Sequence, residues 1–248
     1  MATTRLSAVD ASRSAQLQEL WRHLAIAKPL NPQDLAHLDE ALTHTSSGLH
    51  PHHEQLEFLG DAVLRLAATE FIASTHPQLP VGERSALRAQ LVSDQWLAQL
   101  GETIGITCWW RIGAKACGDA AAHATVRAEL SEALIGAVYT ISGLPAVQTW
   151  LKPHWEQTSR VILADPHRGN SKSALQEWSQ GQDLGLPIYD TREVSRNHGD
   201  PRRFHCRVNL PELDAEGWGG SRRAAEQQAA REALQALEAQ ASGKIAPH

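Results

Sequence analysis

A strongly apolar segment of this chain carries three carboxylates at helical spacing, because residues 53–64 read HEQLEFLGDAVL. Glu54 and Glu57 are three positions apart, and Glu57 and Asp61 are four apart, so a helix places all three on one face. Since apolar residues surround that face, we expect the helix to be buried. Buried acids are rare unless they are paired or bound to a metal. Two carboxylates about 4 Å apart repel by roughly 4 kcal/mol at an effective dielectric of 20. The segment therefore predicts a divalent cation beside it.

A second acidic pair, Glu129 and Glu132, lies three positions apart in another apolar segment. Two buried helices that each carry such a pair can form a cage of four carboxylates. All-oxygen cages suit Mg²⁺ or Mn²⁺ rather than zinc, and such a metal can promote phosphodiester hydrolysis. Salt bridges or helix capping would also explain the acids, and the two pairs by themselves leave both interpretations open.

Composition limits the classes of protein that this chain can belong to. Its 248 residues are enough for two domains, and its net charge of −5 argues against nonspecific coating of nucleic acid, although not against a local basic stripe. No apolar run reaches 18 residues and the N-terminal segment lacks the apolar core of a signal peptide, so we expect no membrane association. Three cysteines without a CxxC pair read as reduced thiols, which favours the cytoplasm.

Apolar periodicity predicts an all-α first domain over residues 1–163. The segments expected to be helical are Leu17–Ile26, a helix that begins at Pro32, the acidic helix to about Thr75, one amphipathic helix over Arg84–Leu100, Arg127–Ile141 and residues 146–163. Residues 108–123 lack a helical period and are expected to form a loop.

The pattern changes after a polar, turn-rich linker at residues 164–170. Residues 171–239 predict a small α+β domain with a helix, strands at residues 187–194 and 203–210, a third strand that ends near residue 218, and a final helix over residues 221–239. Residues 240–248 are left as a tail.

Several motifs resemble one known family, in the same order along the chain. HEQLEFLGDAVL resembles the signature of the ribonuclease III family, and ALTHTS, LRAQLVS and SEALIGAVY resemble its neighbouring blocks. In the second half, LQEWSQG, LPIY and GWGGSRRAAEQQAAREAL are similar to a double-stranded-RNA-binding domain. The likeness covers residues 40–238.

The resemblance implies an all-α endonuclease domain joined to a small α-β-β-β-α double-stranded-RNA-binding domain. It also implies a homodimer with one active centre in each protomer, which hydrolyses both RNA strands and leaves 5′-phosphate and 3′-hydroxyl ends. The expected cofactor is Mg²⁺, with Mn²⁺ as a substitute, and the family's usual task is the processing of ribosomal and other RNA precursors.

The family's catalytic residues can be carried over to matching positions. Its metal ligands fall on Glu57, Asp61, Glu129 and Glu132, of which Asp61 and Glu132 take the catalytic role, and Glu54 matches an accessory acid of the cleft. The chain departs from the pattern at three places. Glu129 stands where the family usually has Asp, His53 where it usually has Asn, and Gln55 where it often has Arg. The alternative is a weak or inactive RNA-binding protein that retains the nuclease fold.

RNA-binding residues follow from the resemblance in the second domain. Arg222 and Arg223 are expected to hold phosphates, Gln176 and Glu177 to reach a minor groove, and His198, or in its place Asp200, to reach the next groove. From residue 171 onward the chain has 10 Lys or Arg and 11 Asp or Glu, a net charge of −1. Few phosphate contacts predict modest affinity with a shallow salt dependence.

Two other groups of residues could bind metals. His50, His52 and His53 suggest a transition-metal site, but for a histidine-rich loop we favour simple solvation. Cys108 and Cys117 have a spacing that fits no zinc motif.

Overall fold

Two units, residues 1–160 and 161–248, make up the chain. The computed structural model describes residues 9–117, 120–164, 170–197, 200–211 and 213–243. Within these residues, no helix combines the length and apolar character that crossing a membrane requires.

Helices form the first unit. They are α1 (Ala11–His23), α2 (Pro32–Ala41), α3 (Glu54–Thr75), α4 (Val81–Leu91), α5 (Asp94–Thr103), α6 (Ala114–Cys117), α7 (Ala120–Ser142) and α8 (Leu144–Ala164), with short 3₁₀ turns at Thr45–Ser47 and Ile106–Cys108. Local sequence features determine where several of these helices begin or end. Asn31 accepts hydrogen bonds from the first backbone N–H groups of α2, and Pro32 follows at the position where its missing N–H has no cost.

Helix α7 is the centre of this unit and packs against α2, α3 and α5. Residues 133–138 are all buried, which explains why this stretch is apolar on every side. Its contact with α3 is a backbone contact at two glycines. A Cβ added at Gly60 would lie 2.0 Å from the Glu132 carbonyl oxygen, and one added at Gly136 would lie 2.1 Å from the Leu56 carbonyl oxygen. Only glycine allows the two helices to approach this closely.

Two predictions about the first unit are wrong. The single helix predicted over residues 84–100 is two helices, α4 and α5. The chain breaks between them because the Ser93 side chain accepts a hydrogen bond from the Trp96 backbone N–H at 3.2 Å and starts a new helix. The loop predicted over residues 108–123 instead contains α6 and the start of α7. The first residues of α7 are mostly alanine, so the sequence there has no polar and apolar faces and shows no helical periodicity.

The second unit is an α-β-β-β-α arrangement, and the predicted fold class is confirmed. Helix α9 (Ser171–Gly181) precedes strands β1 (Ile188–Glu193), β2 (Phe204–Leu210) and β3 (Leu213–Gly219), and α10 (Arg222–Gly243) follows. The strands form an antiparallel sheet in the order β1-β2-β3, with Thr191 opposite Cys206 and Cys206 opposite Gly217. Helix α10 extends four residues into the segment expected to be a tail, and residues 165–169 of the expected linker lie outside the described residues.

One face of this sheet packs on the two helices. Its core contains Leu175 of α9, Cys206 and Val208 of β2, and the alanines of α10. Gly217 brings β3 against α10, because a Cβ there would lie 2.2 Å from the Ala229 backbone nitrogen. Arg207 lies on the opposite, exposed face of β2.

Candidate functional site

The crossing of α3 and α7 brings the four predicted metal-ligand acids together. Burial, and then the charges of Asp61 and Glu57, raise the pKa of Glu132 to about 7, and a hydrogen bond between the Glu132 and Asp61 carboxyl groups adds to this shift. Burial also raises the pKa of Glu57, with further contributions from the charges of Glu129 and Glu54. Glu57 thus interacts with Glu129 and Glu132 of α7, and Asp61 interacts with Glu132.

The acidic helix is less buried than expected. Its inner side is made of Leu56, Val63, Leu64 and Ala67, but Phe58 is 84% exposed and Leu66 is 49% exposed. The carboxylate of Glu54, the first residue of α3, is more than half exposed. The acids are therefore partly exposed, since the side chains of Glu57, Asp61 and Glu129 are 31%, 46% and 32% exposed, and water reduces the cost of their charges.

Other charged side chains adjoin the four acids. The Arg65 guanidinium donates to the Asp61 carboxylate at 2.7 Å, one turn along the exposed side of α3. Asp94, the first residue of α5, adds to the negative potential that raises the pKa of Glu132. Sequence reasoning did not connect Asp94 with the site, because only the fold brings α5 beside α7.

Two histidines stand beside the acids. His44 Nε2 lies 3.1 Å from Glu129 Oε2, and His53 Nε2 lies 3.2 Å from Glu57 Oε2 and 3.8 Å from Glu129 Oε2. The two imidazole rings stack with their centroids 4.8 Å apart. Within the described part of the chain, His44, His53 and Glu129 are the set whose metal-binding atoms all lie within 4.8 Å of one another.

The interpretation of the histidine loop as solvated is wrong for His53. His50 is exposed, but His53 is only 2% exposed, and its backbone N–H donates to the Thr43 carbonyl at 3.0 Å. Burial, and then the nearby His44, lower the pKa of His53 to about 4, so that its imidazole is neutral at pH 7. One signal was available in the sequence, since His53 precedes Glu57 by one helical turn.

His44 is held by the turn that follows it. Its Nδ1 accepts a hydrogen bond from the Ser46 backbone N–H at 3.1 Å and lies 2.8 Å from the Ser46 hydroxyl. The network therefore assigns the proton to Nε2, which donates to Glu129. The same Ser46 hydroxyl accepts from the Gly113 N–H at 3.0 Å, which ties this turn to the chain before α6.

The donor set fits a hard divalent cation. Glu57, Asp61, Glu129 and Glu132 offer only oxygen atoms, which Mg²⁺ and Mn²⁺ prefer. Burial, and then repulsion between the acids, raise the pKa values of Glu57 and Glu132, and a bound cation would stabilise the charged forms against both effects.

The predicted RNA-binding residues lie on the helices of the second unit. Gln176 and Glu177 are exposed on α9, and Arg222 and Arg223 are exposed in the first turn of α10. Lys172 of α9 donates to the carboxylate of Glu226 in α10 at 2.6 Å, which fixes the two helices beside each other.

The turn before β2 contains the residues that were predicted to reach the next groove of the RNA, His198 or in its place Asp200. His198 lies outside the described residues. Asp200 accepts a hydrogen bond from the Arg202 backbone N–H at 2.8 Å, and the Ser195 hydroxyl and this N–H lower its pKa, so its carboxylate is engaged in the turn. The Arg202 guanidinium lies over the Trp218 ring, 4.4 Å from its centroid.

Comparison with known proteins gives matches over both units. The family model described as Ribonuclease-III-like matches residues 34–155, and the Double-stranded RNA binding motif matches residues 171–237. A ribonuclease 3 of Prochlorococcus marinus is 56% identical over 202 residues, which cover 81% of each chain. A ribonuclease 3 of a Nostoc species is 39% identical over 235 residues, which cover 94% of this chain and 96% of the relative. The nuclease domain of ribonuclease III from Campylobacter jejuni superposes with a TM-score of 0.51 at 25% identity, over 57% of this chain and 96% of that domain.

Replacing Glu132 by Gln is expected to stabilise the metal-free protein at pH 8. The folded state holds a proton on Glu132 that the unfolded chain releases, because the pKa rises from 4.5 to about 7 on folding. The wild type therefore loses stability as the pH rises between these two values, and a glutamine at this position does not. Allowing for solvent screening of this half-buried group, we expect a gain of about 1–2 kcal/mol at pH 8 and a smaller gain at pH 5.

Urea unfolding in the presence of a chelator at both pH values measures this difference. The matched control is Glu102→Gln, which changes an exposed acid on α5. Equal effects of the two substitutions, or a gain at Glu132 that does not depend on pH, would show that the raised pKa of Glu132 is not the cause.

Proposed function

The chain belongs to the ribonuclease III family, and on this premise we propose that it is a divalent-metal-dependent endoribonuclease that cuts both strands of double-stranded RNA. The observation that carries the proposal is the convergence of acid pairs from α3 and α7 in the same chain as a double-stranded-RNA-binding motif. The products would have 5′-phosphate and 3′-hydroxyl ends, and the substrates would include precursors of ribosomal RNA.

Glu57, Asp61, Glu129 and Glu132 would hold the cation, with Mg²⁺ as the proposed ion and Mn²⁺ as a substitute. When bound, the cation supplies Lewis-acid polarisation and neutralises charge at the phosphodiester. The protein holds the acids of α3 and α7 in fixed positions, because backbone contact at Gly60 and Gly136 sets the distance between the two helices. Asp61 and Glu132 share a hydrogen bond and position each other, and Glu54 lies at the edge as an accessory acid.

The second unit would bind the duplex by its shape. Exposed Gln176 and Glu177 on α9 suit contacts in a minor groove, where 2′-hydroxyl groups are displayed. Arg222 and Arg223 lie at the start of α10, where free backbone N–H groups and the helix dipole also favour phosphate. A net charge of −1 over this half of the chain limits the number of phosphates that it can neutralise.

A homodimer would cover the exposed apolar residues of α3. Phe58 lies next to the metal-ligand residue Glu57 and is 84% exposed, which is unusual for a Phe that has no partner surface. The solved nuclease domain from Campylobacter jejuni is described as having a region involved in dimer formation. We therefore place the dimer contact at Phe58 and Leu66, close to the acids.

We further propose that residues 1–163 and 171–239 act as separate domains and that the protein works in the cytoplasm. Two independent cores, one around α7 and one between the sheet and α10, support the division. Cell fractionation that recovered the protein with membranes would contradict the location.

Asp61→Asn and Glu132→Gln are each expected to slow cleavage of a long RNA duplex in Mg²⁺ while duplex binding is retained. Loss of a metal ligand removes several kcal/mol of transition-state stabilisation, which corresponds to a rate lower by roughly 10³-fold. Glu102→Gln serves as the control, and mapping of the product ends tests the reaction. If either variant cuts at the wild-type rate, the ligand assignment is wrong, and if the wild type binds but does not cut in Mg²⁺ or Mn²⁺, the chain is a binding protein only.

The double substitution of Arg222 and Arg223 by Ala is expected to weaken duplex binding about tenfold at 0.15 M salt and to reduce the salt slope by about 1.5. Filter binding at several salt concentrations measures both quantities. The matched control is the double substitution of Arg192 and Arg207 by Ala, because it removes the same two charges from exposed positions of β1 and β2. Equal losses in the two proteins would mean that the start of α10 does not hold phosphate.

Phe58→Asp is expected to convert the dimer to a monomer. Burial of one Phe side chain stabilises a contact by about 2–3 kcal/mol, so loss of two in a symmetric dimer raises the dissociation constant by roughly 10³-fold or more. Sedimentation velocity over a range of protein concentrations measures the change. Leu186→Asp alters an exposed apolar residue of the second unit and should leave the dimer intact. A Phe58 variant that sediments as the wild type would remove this residue from the interface.

A further inference from the structure

The cluster of His44, His53 and Glu129 has a chemistry that a cage of carboxylates lacks. Two imidazole Nε2 atoms face one carboxylate oxygen, Glu129 Oε2, at 3.1 Å and 3.8 Å. His53 is fully enclosed, and its Nδ1 atom has no hydrogen-bond partner among the described residues. None of the hydrolysis chemistry proposed above uses these two rings.

We propose that His44, His53 and Glu129 form a second metal site, which binds a late first-row dication such as Zn²⁺ or Co²⁺ in preference to Mg²⁺. The proposal rests on the proposed function, because Glu129 would also serve the four-carboxylate set. Ligands at 2.0–2.1 Å around a tetrahedral ion lie about 3.3 Å from one another. The distances from Glu129 to the two rings lie on either side of this value, and all three ligand atoms lie within 4.8 Å of one another, so the side chains must close by at most about 1.5 Å to complete the site.

Both rings can adopt the ligating form. A metal ligand must be a neutral imidazole with a free Nε2. For His44, binding through Nε2 requires the proton to move to Nδ1, where a bond to the Ser46 hydroxyl at 2.8 Å would replace the bond that Nδ1 now accepts from the Ser46 backbone N–H. For His53, Nδ1 makes no hydrogen bond among the described residues, so the ring can carry its proton there and bind through Nε2, which exchanges the contact of Nε2 with Glu57 for the metal.

Ligand softness separates the two sites. Imidazole nitrogen suits zinc, cobalt and nickel, whereas carboxylate oxygen suits Mg²⁺ and Mn²⁺, and affinity for nitrogen-containing sites rises along the series from Mn²⁺ toward Cu²⁺. Two members of the cluster, His53 and Glu129, are positions at which this chain departs from the family pattern. The longer side chain of Glu129 brings its carboxylate within reach of both imidazoles.

Because Glu129 belongs to both sets, the two sites are coupled. A dication held by the imidazoles occupies a carboxylate and repels a second dication on the other acids. Zn²⁺ should therefore lower the affinity for Mg²⁺, and Mg²⁺ should lower the affinity for Zn²⁺ by the same factor.

Proton NMR of the full-length protein loaded with one equivalent of Co²⁺ tests the site. Each imidazole bound to Co²⁺ through Nε2 should give one hyperfine-shifted, exchangeable N–H signal, so the wild type should show two. His53→Asn introduces the residue that the family usually has, and should leave one signal and weaken Co²⁺ binding more than tenfold. The matched control is His50→Asn, which changes an exposed ring of the same loop and should retain both signals. Zn²⁺ should remove the signals at a far lower concentration than Mg²⁺.

Wild-type protein that binds Co²⁺ without shifted imidazole signals would overturn the proposal. Equal Co²⁺ affinity of the His53 and His50 variants, with both confirmed as folded by circular dichroism, would also overturn it. Asp61→Asn separates this site from the proposed function, because it should lose cleavage in Mg²⁺ and keep both signals. A wild type that cuts RNA in Mg²⁺ but gives no signals would reject the imidazole site alone. A wild type that does not cut duplex RNA would reject the proposed function whatever the Co²⁺ result.

Discussion

Backbone contact between α3 and α7 at Gly60 and Gly136 is the constraint on which the rest of the first unit depends. A Cβ at either position would lie about 2 Å from a carbonyl oxygen of the other helix, so any side chain there would force the helices apart. The carbonyl oxygen that Gly60 approaches belongs to Glu132, and Gly60 itself precedes Asp61. The contact that holds the helices together therefore also brings their acids together, and a larger distance between α3 and α7 would separate the acids.

Burial of these acids and the repulsion between them oppose folding, and the core around α7 offsets both. The raised pKa of Glu132 shows that its charged form is less stable in the folded protein than in water. Helix α7 compensates because residues 133–138 are buried on every side, in contact with three other helices. The apolar sequence beside the acids thus has two effects, since it stabilises the fold and fixes carboxylates in positions that they would not occupy by themselves.

Sequence predicted those features that depend on neighbours along the chain. The start of α2 follows from Asn31 and Pro32, the length of α3 from its continuous apolar period, and the shared face of Glu57 and Asp61 from their spacing. Features that depend on distant residues were missed. The backbone N–H of His53 donates to the Thr43 carbonyl, which holds His53 in its buried position. Thr43 in turn pairs with Arg111, which lies almost seventy residues further along the chain. No local pattern of hydrophobicity records such a contact.

Because His53 is neutral, it leaves the negative charge of the neighbouring acids available to bind a cation. A lysine or arginine among Glu57, Glu129 and Glu132 would satisfy the carboxylates and reduce the negative potential that draws a dication. His53 contacts Glu57 and Glu129, yet burial lowers its pKa to about 4, so it fills the space without neutralising them. The fixed positive charge beside the acids described here, Arg65, reaches Asp61 from the exposed side, where water screens it. The protein thus packs its acidic face with a polar but uncharged ring, and the negative charge that remains is available to a metal cation, which can in turn bind an RNA phosphate.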